Sequence, residues 1–156
     1  MHALDRAIEI ALEAHAGQTD KAGELYYLHC NRVAAAVASV DEKIVAYLHD
    51  VVEKGPGWSF DRLKTEGFTD AVVSAVDALT KREGESDETF VRRAASNSLA
   101  KPVKRADLND NLAQASASGL DTSKYVEGLT ILDKIATTEF PEAPAHSRGY
   151  SPQSAY

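Results

Sequence analysis

The apolar residues of this chain recur at intervals of three and four from Leu4 to Ile135, and no stretch alternates convincingly at two. That periodicity commits the backbone to helices whose inward stripes must find one another, because a helix with one apolar face is stable only when the face is covered. Leu4, Ala7, Ile8, Ala11 and Leu12 mark a first helix over 4–16, stopped by Gly17. A loop follows to Tyr26, and a second helix is expected over 27–40 with Leu28, Val33, Ala36 and Val37 inward and His29 at its start. A third, capped by Asp41, carries Ile44, Val45, Leu48 and Val52 and ends at Gly55-Pro56-Gly57. A short helix from Ser59 precedes one capped by Thr69, with Val72, Val73, Val76 and Leu79. The charged connector 81–87 leads to a helix through Phe90, Val91, Ala94 and Ala95, then to one from Leu99 to Ala117 that holds Pro102 in its first turn. The last spans 123–138 with Tyr125, Leu129, Leu132 and Ile135 on one side. The pattern predicts an all-α fold, a compact single-domain bundle over 1–138, followed by a Pro-rich extension over 139–156 that is disordered or ordered on contact.

The 156 residues suit one domain with a sizeable core. With 17 Lys+Arg against 24 Asp+Glu, the net charge of -7 argues against nucleic acid or an anionic membrane surface as partner. A polyanionic substrate needs a local basic patch. Cys30 is the sole cysteine, which excludes an intrachain disulfide and a Cys-rich zinc site and fits a reducing cytoplasm. Neither a signal or transit peptide nor a run long enough for a membrane span is expected.

Within the third predicted helix, His49-Asp50-Val51-Val52-Glu53-Lys54 sets charge into an apolar segment. Ionisable groups facing a core must be paired, hydrogen-bonded or bound to a metal. Taken alone, His49 reads as a satisfied core histidine and Asp50 as an acid paired with Lys54. With His29 and Asp107 added, two imidazoles and two carboxylates can converge on one cation, a donor set that suits Mn²⁺, Fe²⁺ or a hydrolytic Zn²⁺ better than Ca²⁺. An octahedral ion held by four side chains keeps two positions for a water and a phosphoryl oxygen, lowering the water's pKa and polarising phosphorus. Glu53, one turn after the pair, is placed either as a general base or as an exposed helix-end acid. Lys104 and Asn111, three before and four after Asp107, share its stripe and could face a substrate; the plainer readings are a solvated helix face for Lys104 and a helix-interior polar residue without a role for Asn111.

Ala14-His15-Ala16-Gly17-Gln18, Asp20-Lys21-Ala22-Gly23, Tyr27-Leu28-His29, His49-Asp50-Val51-Val52-Glu53, Leu79-Thr80-Lys81-Arg82 and Val103-Lys104-Arg105-Ala106-Asp107-Leu108-Asn109-Asp110-Asn111 occur in this order. Over residues 7–112 the chain thereby resembles the HD-superfamily hydrolases of RelA/SpoT type. The resemblance implies an all-α HD fold, a Mn²⁺ ion (or Fe²⁺, Zn²⁺ or another divalent cation) held by His29, His49, Asp50 and Asp107, and removal of the 3′-pyrophosphate from guanosine alarmones. The length suggests a small, hydrolase-only form without a synthetase domain. Lys21 would face the nucleotide or its phosphates, and Asn111 the ribose or base.

Two positions depart from the family pattern. Hydrolases of this type usually carry Glu-Asp where this chain has Glu53-Lys54, and many carry a base-stacking arginine at the position of Asp20. Cys30 stands where a proline is common. The expected chemistry is thus a cytoplasmic, metal-dependent phosphohydrolase with Asp50 and Glu53 catalytic, and with Lys21, Lys54, Lys104 and Asn111 on a guanosine or adenosine nucleotide. Alternatives are another HD-type nucleotide phosphohydrolase, or a metal- and nucleotide-binding module with weak or no turnover. His15 is expected to be a structural hydrogen-bonding residue, Lys81 and Arg82 connector charges, Tyr125 a core tyrosine, and His2 and His146 exposed.

Overall fold

A computed structural model describes residues 2–139, with side chains to 136. Except for Glu139, the expected extension over 139–156 lies outside the described residues, as does His146. Among the described residues there are nine helices: α1 (Ala3–Ala14), α2 (Tyr26–Ala35), α3 (Val40–Leu48), α4 (Val51–Lys54), α5 (Phe60–Thr65), α6 (Asp70–Ala78), α7 (Asp87–Ala95), α8 (Ala100–Ala117) and α9 (Ser123–Glu139). The fold is all-α; the sole extended pairing among these residues is an isolated antiparallel bridge, Thr19 with Leu25, that pinches the loop between α1 and α2. No described helix is long and apolar enough to cross a membrane.

Helix α3 is central and packs on α1, α2, α6 and α8, while α9 covers α7 and α8. Val45, Leu48, Val51, Val33, Ile10 and Val103 are fully buried in the main core. A second cluster of Val91, Ala95, Leu108 and Leu132 joins α7, α8 and α9. Side chains at Ser59, Thr69 and Ser86 accept from backbone N–H groups three residues on, satisfying donors that a helix start leaves open.

The structure corrects several details of the helix reading. Helix α2 ends at Ala35, short of Val40, because Lys43 of α3 donates to the Ala34 and Val37 carbonyls at 2.9 and 2.8 Å and so satisfies acceptors at that end. Its buried face is His29, Cys30, Val33 and Ala34, with Leu28 36% exposed. Ser39, not Asp41, caps α3, accepting from the Glu42 N–H at 3.1 Å. Leu12 is half exposed, and Ile10 takes the inward place on α1. The connector 81–86 is braced: Arg93 binds Glu85 at 2.8 Å and donates to the Asp77 and Thr80 carbonyls.

The most consequential correction concerns His49 and Asp50. They do not lie within one continuous helix but in a break between α3 and α4. The His49 Nδ1–H donates to the Ala46 carbonyl, which a continuing helix would offer to the Asp50 N–H. Asp50 then takes φ -109° and ψ 2°, and α4 restarts with Lys54 N–H on the Asp50 carbonyl at 2.9 Å. The break turns both side chains toward α2 and α8.

Candidate metal centre

His29 from the first turn of α2, His49 and Asp50 from the α3–α4 break, and Asp107 from α8 each offer one ligand atom, all within 4.8 Å of one another. His49 Nε2 lies 3.0 Å from Asp50 Oδ2 and 3.4 Å from Asp107 Oδ1, and His29 Nε2 lies 3.1 Å from Asp107 Oδ1. Both histidines are 1% exposed and both aspartates 9%.

The tautomers decide what such a cluster can hold. Asp110 Oδ2, 2.6 Å from His29 Nδ1, and the Ala46 carbonyl beside His49 Nδ1 can only accept, so each imidazole donates through Nδ1. Each Nε2 is then a buried nitrogen without a hydrogen-bond partner. Two lone pairs facing two carboxylates repel unless a positive charge lies among them. A divalent cation satisfies all four at once, so the residues fit the ion that their types suggest.

Electrostatics point the same way. Burial works against charge at His29 and His49, yet the neighbouring carboxylates outweigh it and raise both imidazoles above the usual histidine range. Burial likewise opposes ionisation of Asp50 and Asp107, but His49 for the first and Lys104 for the second hold them below the ordinary carboxylate range. Tyr26 donates to Asp50 Oδ2 at 2.5 Å. Buried beside that carboxylate, its phenol is raised far above its usual range and stays a donor.

The cluster opens onto a cavity of about 190 Å³ between α4, α7, α8 and the start of α9. Five lysines (Lys21, Lys54, Lys81, Lys104 and Lys124) line it against four carboxylates (Asp50, Glu53, Asp87 and Asp107), so an acidic protein of net charge -7 has a basic patch here. Lys104 is not on a solvated face: it is 7% exposed, 3.4 Å from Asp107 Oδ2 and 4.0 Å from the centre of the Phe90 ring. Asn111 donates to Asp107 Oδ1 at 2.9 Å and accepts from Lys21 Nζ at 2.6 Å, so its amide braces a candidate metal ligand and the Lys21 ammonium together. Lys54 lies over the Tyr26 ring at 5.2 Å. Glu53 is exposed at the cavity edge, where its carboxylate makes no hydrogen bond or ion pair among the described residues.

Other residues sit differently from expectation. Tyr125 lines the cavity, with Lys21 and Lys124 over its ring at 5.3 and 5.9 Å, besides packing in the second core cluster. Lys81 also lines the cavity, paired with Asp87 at 2.7 Å, while Arg82 stays at the surface. Asp20 turns into its own loop: Oδ1 accepts from the Ala22 and Glu24 N–H groups, and the side chain is 2% exposed. His15 is buried and donates to Gln18 at 2.9 Å; burial lowers its pKa, so it is neutral. His2 is exposed at the start of α1. Cys30 is buried, which pushes its thiol up to about 12 and leaves it unreactive.

The reading of the residues assigned no part to Asp110, Gln114, Arg32 or Tyr26. Their signal is a polar stripe: Asp107, Asp110, Asn111 and Gln114 recur at three and four along α8, and Tyr26, His29 and Arg32 recur at three along α2. Polar residues at helical spacing ordinarily mark a solvent-facing side, so only the packing of α2 against α8 shows that these stripes face each other.

Comparison with known proteins agrees with this geometry. The family profile described as HD domain matches residues 7–116. A Mycobacterium leprae protein described as a probable GTP pyrophosphokinase is 30% identical over 122 residues, or 70% of this chain. The chain spans about 15% of that relative's length. A solved structure described as a metazoan ortholog of SpoT that hydrolyzes ppGpp shares the fold with a TM-score of 0.67 at 23% identity, covering 89% of this chain and 96% of the other. The profile match spans well over half of the chain, and the chain belongs to the HD-domain family.

Proposed function

We propose that this chain is a divalent-cation-dependent phosphohydrolase that removes the 3′-pyrophosphate from a guanosine or adenosine alarmone such as (p)ppGpp. The observation that carries the reading is a four-donor cluster with two orphaned imidazole nitrogens opening directly onto a lysine-lined cavity. Support comes from the relative in fold described as hydrolysing ppGpp. We assign the ion as Mn²⁺, held by His29, His49, Asp50 and Asp107, because mixed imidazole and carboxylate donors suit that class of metal. A bound ion supplies Lewis acidity toward a phosphoryl oxygen and a lowered pKa for water.

The protein's own groups do the rest. Asp50, fixed by the Tyr26 hydroxyl, holds one carboxylate oxygen toward His49. Glu53, unpaired at the cavity edge, is free to take a proton from the attacking water. Lys54 and Lys104 flank the metal end and neutralise the leaving pyrophosphate, while Lys21, Asn111 and Tyr125 receive the remote part of the nucleotide. The single, buried Cys30 suits a reducing cytoplasm.

The test is a panel of 3′-pyrophosphorylated guanosine and adenosine nucleotides incubated with the full chain and Mn²⁺. Pyrophosphate release from at least one is expected; binding without release favours the second reading, a metal- and nucleotide-binding module. That reading is favoured by Lys54, an ammonium where an acid is usual in this family. Lys54→Asp is therefore expected to raise kcat by about tenfold, less than the contribution of a fully positioned acid or base, and to raise KM through loss of a phosphate partner. An unchanged or lower kcat in steady-state assays would show that the lysine does not limit turnover.

A further inference from the structure

We propose that Arg32 is a positioning residue that ties the loop carrying Lys21 to the cation site, so that cation uptake orders this loop before a nucleotide arrives. The inference rests on the metal-site reading above.

Asp110 is the hub. Its Oδ2 accepts from His29 Nδ1 at 2.6 Å, and its Oδ1 accepts from Arg32 Nε at 2.7 Å. Arg32 Nη2 bridges the hub to the loop, donating to Asp110 Oδ2 at 3.2 Å and to Asp20 Oδ2 at 3.3 Å, while Nη1 lies 3.6 Å from Glu24 Oε2. A second path runs parallel: the Lys21 N–H donates to Gln114 Oε1 at 3.2 Å, and Gln114 Nε2 donates to Asp110 Oδ2 at 2.7 Å. The loop is therefore held to the carboxylate that orients His29 by two independent arms.

The chemistry of each link gives the coupling its direction. His29 becomes a stronger donor through Nδ1 once its Nε2 lone pair is engaged by a cation, and hydrogen bonds in such a chain polarise one another. A better-held Asp110 fixes the Arg32 fork, whose planar geometry lets one side chain serve Asp110 and Asp20 together. Asp20 in turn organises the loop, accepting from the Ala22 and Glu24 N–H groups at 2.9 and 3.0 Å. Thermodynamic reciprocity then requires that ordering the loop tighten the cation by the same factor.

The test measures amide hydrogen exchange of residues 20–25 with and without saturating Mn²⁺, together with calorimetric Mn²⁺ affinity, in the wild type, Arg32→Lys, Asp20→Asn and the double variant. Arg32→Lys keeps the charge and loses the fork. Asp20→Asn keeps the oxygen that accepts from the loop and removes the one facing Arg32. In the wild type, Mn²⁺ should slow loop exchange by roughly tenfold; in Arg32→Lys that gain should shrink to the part the Gln114 arm still carries, and the Mn²⁺ Kd should weaken by about tenfold, the low end for outer-shell partners. Asp20→Asn should lose the same part of the exchange gain, and the double variant should bind Mn²⁺ no more weakly than Arg32→Lys alone, since residues acting through one another do not add. A full exchange gain and wild-type affinity in Arg32→Lys, or additive losses in the double variant, would overturn the proposal. A wild type that takes up no divalent cation would instead overturn the metal-site reading itself. Should Arg32→Lys fail to fold, the exchange gain in Asp20→Asn alone decides.

Discussion

Asp50→Asn is expected to leave a folded protein that binds Mn²⁺ more than 100-fold more weakly and turns over no pyrophosphorylated nucleotide at a measurable rate. Loss of an outer-shell partner typically costs 10- to 100-fold in metal affinity, and Asp50 is a proposed ligand itself. The amide keeps the shape of the side chain and can still accept from Tyr26, but it removes one of two anionic donors facing His29 and His49. It also costs the apo fold stability, because His49 holds the buried Asp50 carboxylate below its ordinary range and removing one partner of a buried pair leaves the other uncompensated. Calorimetry with Mn²⁺, a nucleotide assay and a melting curve separate the two effects: a lowered apo melting temperature in a protein still folded at the assay temperature, with metal affinity lost, is the expected pattern. Retained Mn²⁺ affinity would remove Asp50 from the ligand set.

Gly55→Ala is expected to carry the largest cost in stability among single-methyl changes near the site. A Cβ at Gly55 would lie 2.6 Å from the Val51 carbonyl oxygen, 2.7 Å from the Ala14 Cβ and 3.0 Å from Trp58 Cδ1. The first is backbone and the others belong to the packed core, so nothing there yields as the end of a flexible side chain does. Overpacking of this kind costs about 2–3 kcal/mol, or a fall in Tm of roughly 4–12 °C for a chain of this size. The residue's φ of -91° suits any L-amino acid, so the cause is close approach rather than backbone strain. Because Gly55 ends α4, the displacement also moves Glu53 and Lys54, and kcat should fall along with Tm in thermal and kinetic assays. A variant with wild-type Tm would show that α1 and α4 are less tightly packed than these distances require.

Much of this site is legible in residue types and spacing. His29, His49, Asp50 and Asp107 are separable from ordinary core polar residues because charge inside apolar helical stripes needs a reason, and one cation would supply it for all four. Less visible was the support around them. Asp110 and Gln114 look like solvent-facing polar residues on α8, and Arg32 like a surface cation; only the packing of α2 against α8 brings them behind His29. Lys104 illustrates the same limit, since nothing in its neighbours along the chain distinguishes a solvated lysine from one folded under Phe90.

What the amino-acid order determined by itself was the helical class, because a period of three to four is a property of each segment alone, and the four candidate cation donors, because their chemical types are rare in apolar surroundings. The tertiary structure decided how those donors meet. A single uninterrupted helix through His49 and Asp50 was the natural local reading, and the competing bond from the His49 ring to the Ala46 carbonyl breaks it. Which side of that break wins depends on α2 and α8 being present to receive the two side chains, and on Asp110 and Tyr26 to hold the partners in place. Such contacts join residues tens of positions apart, and no local periodicity encodes them.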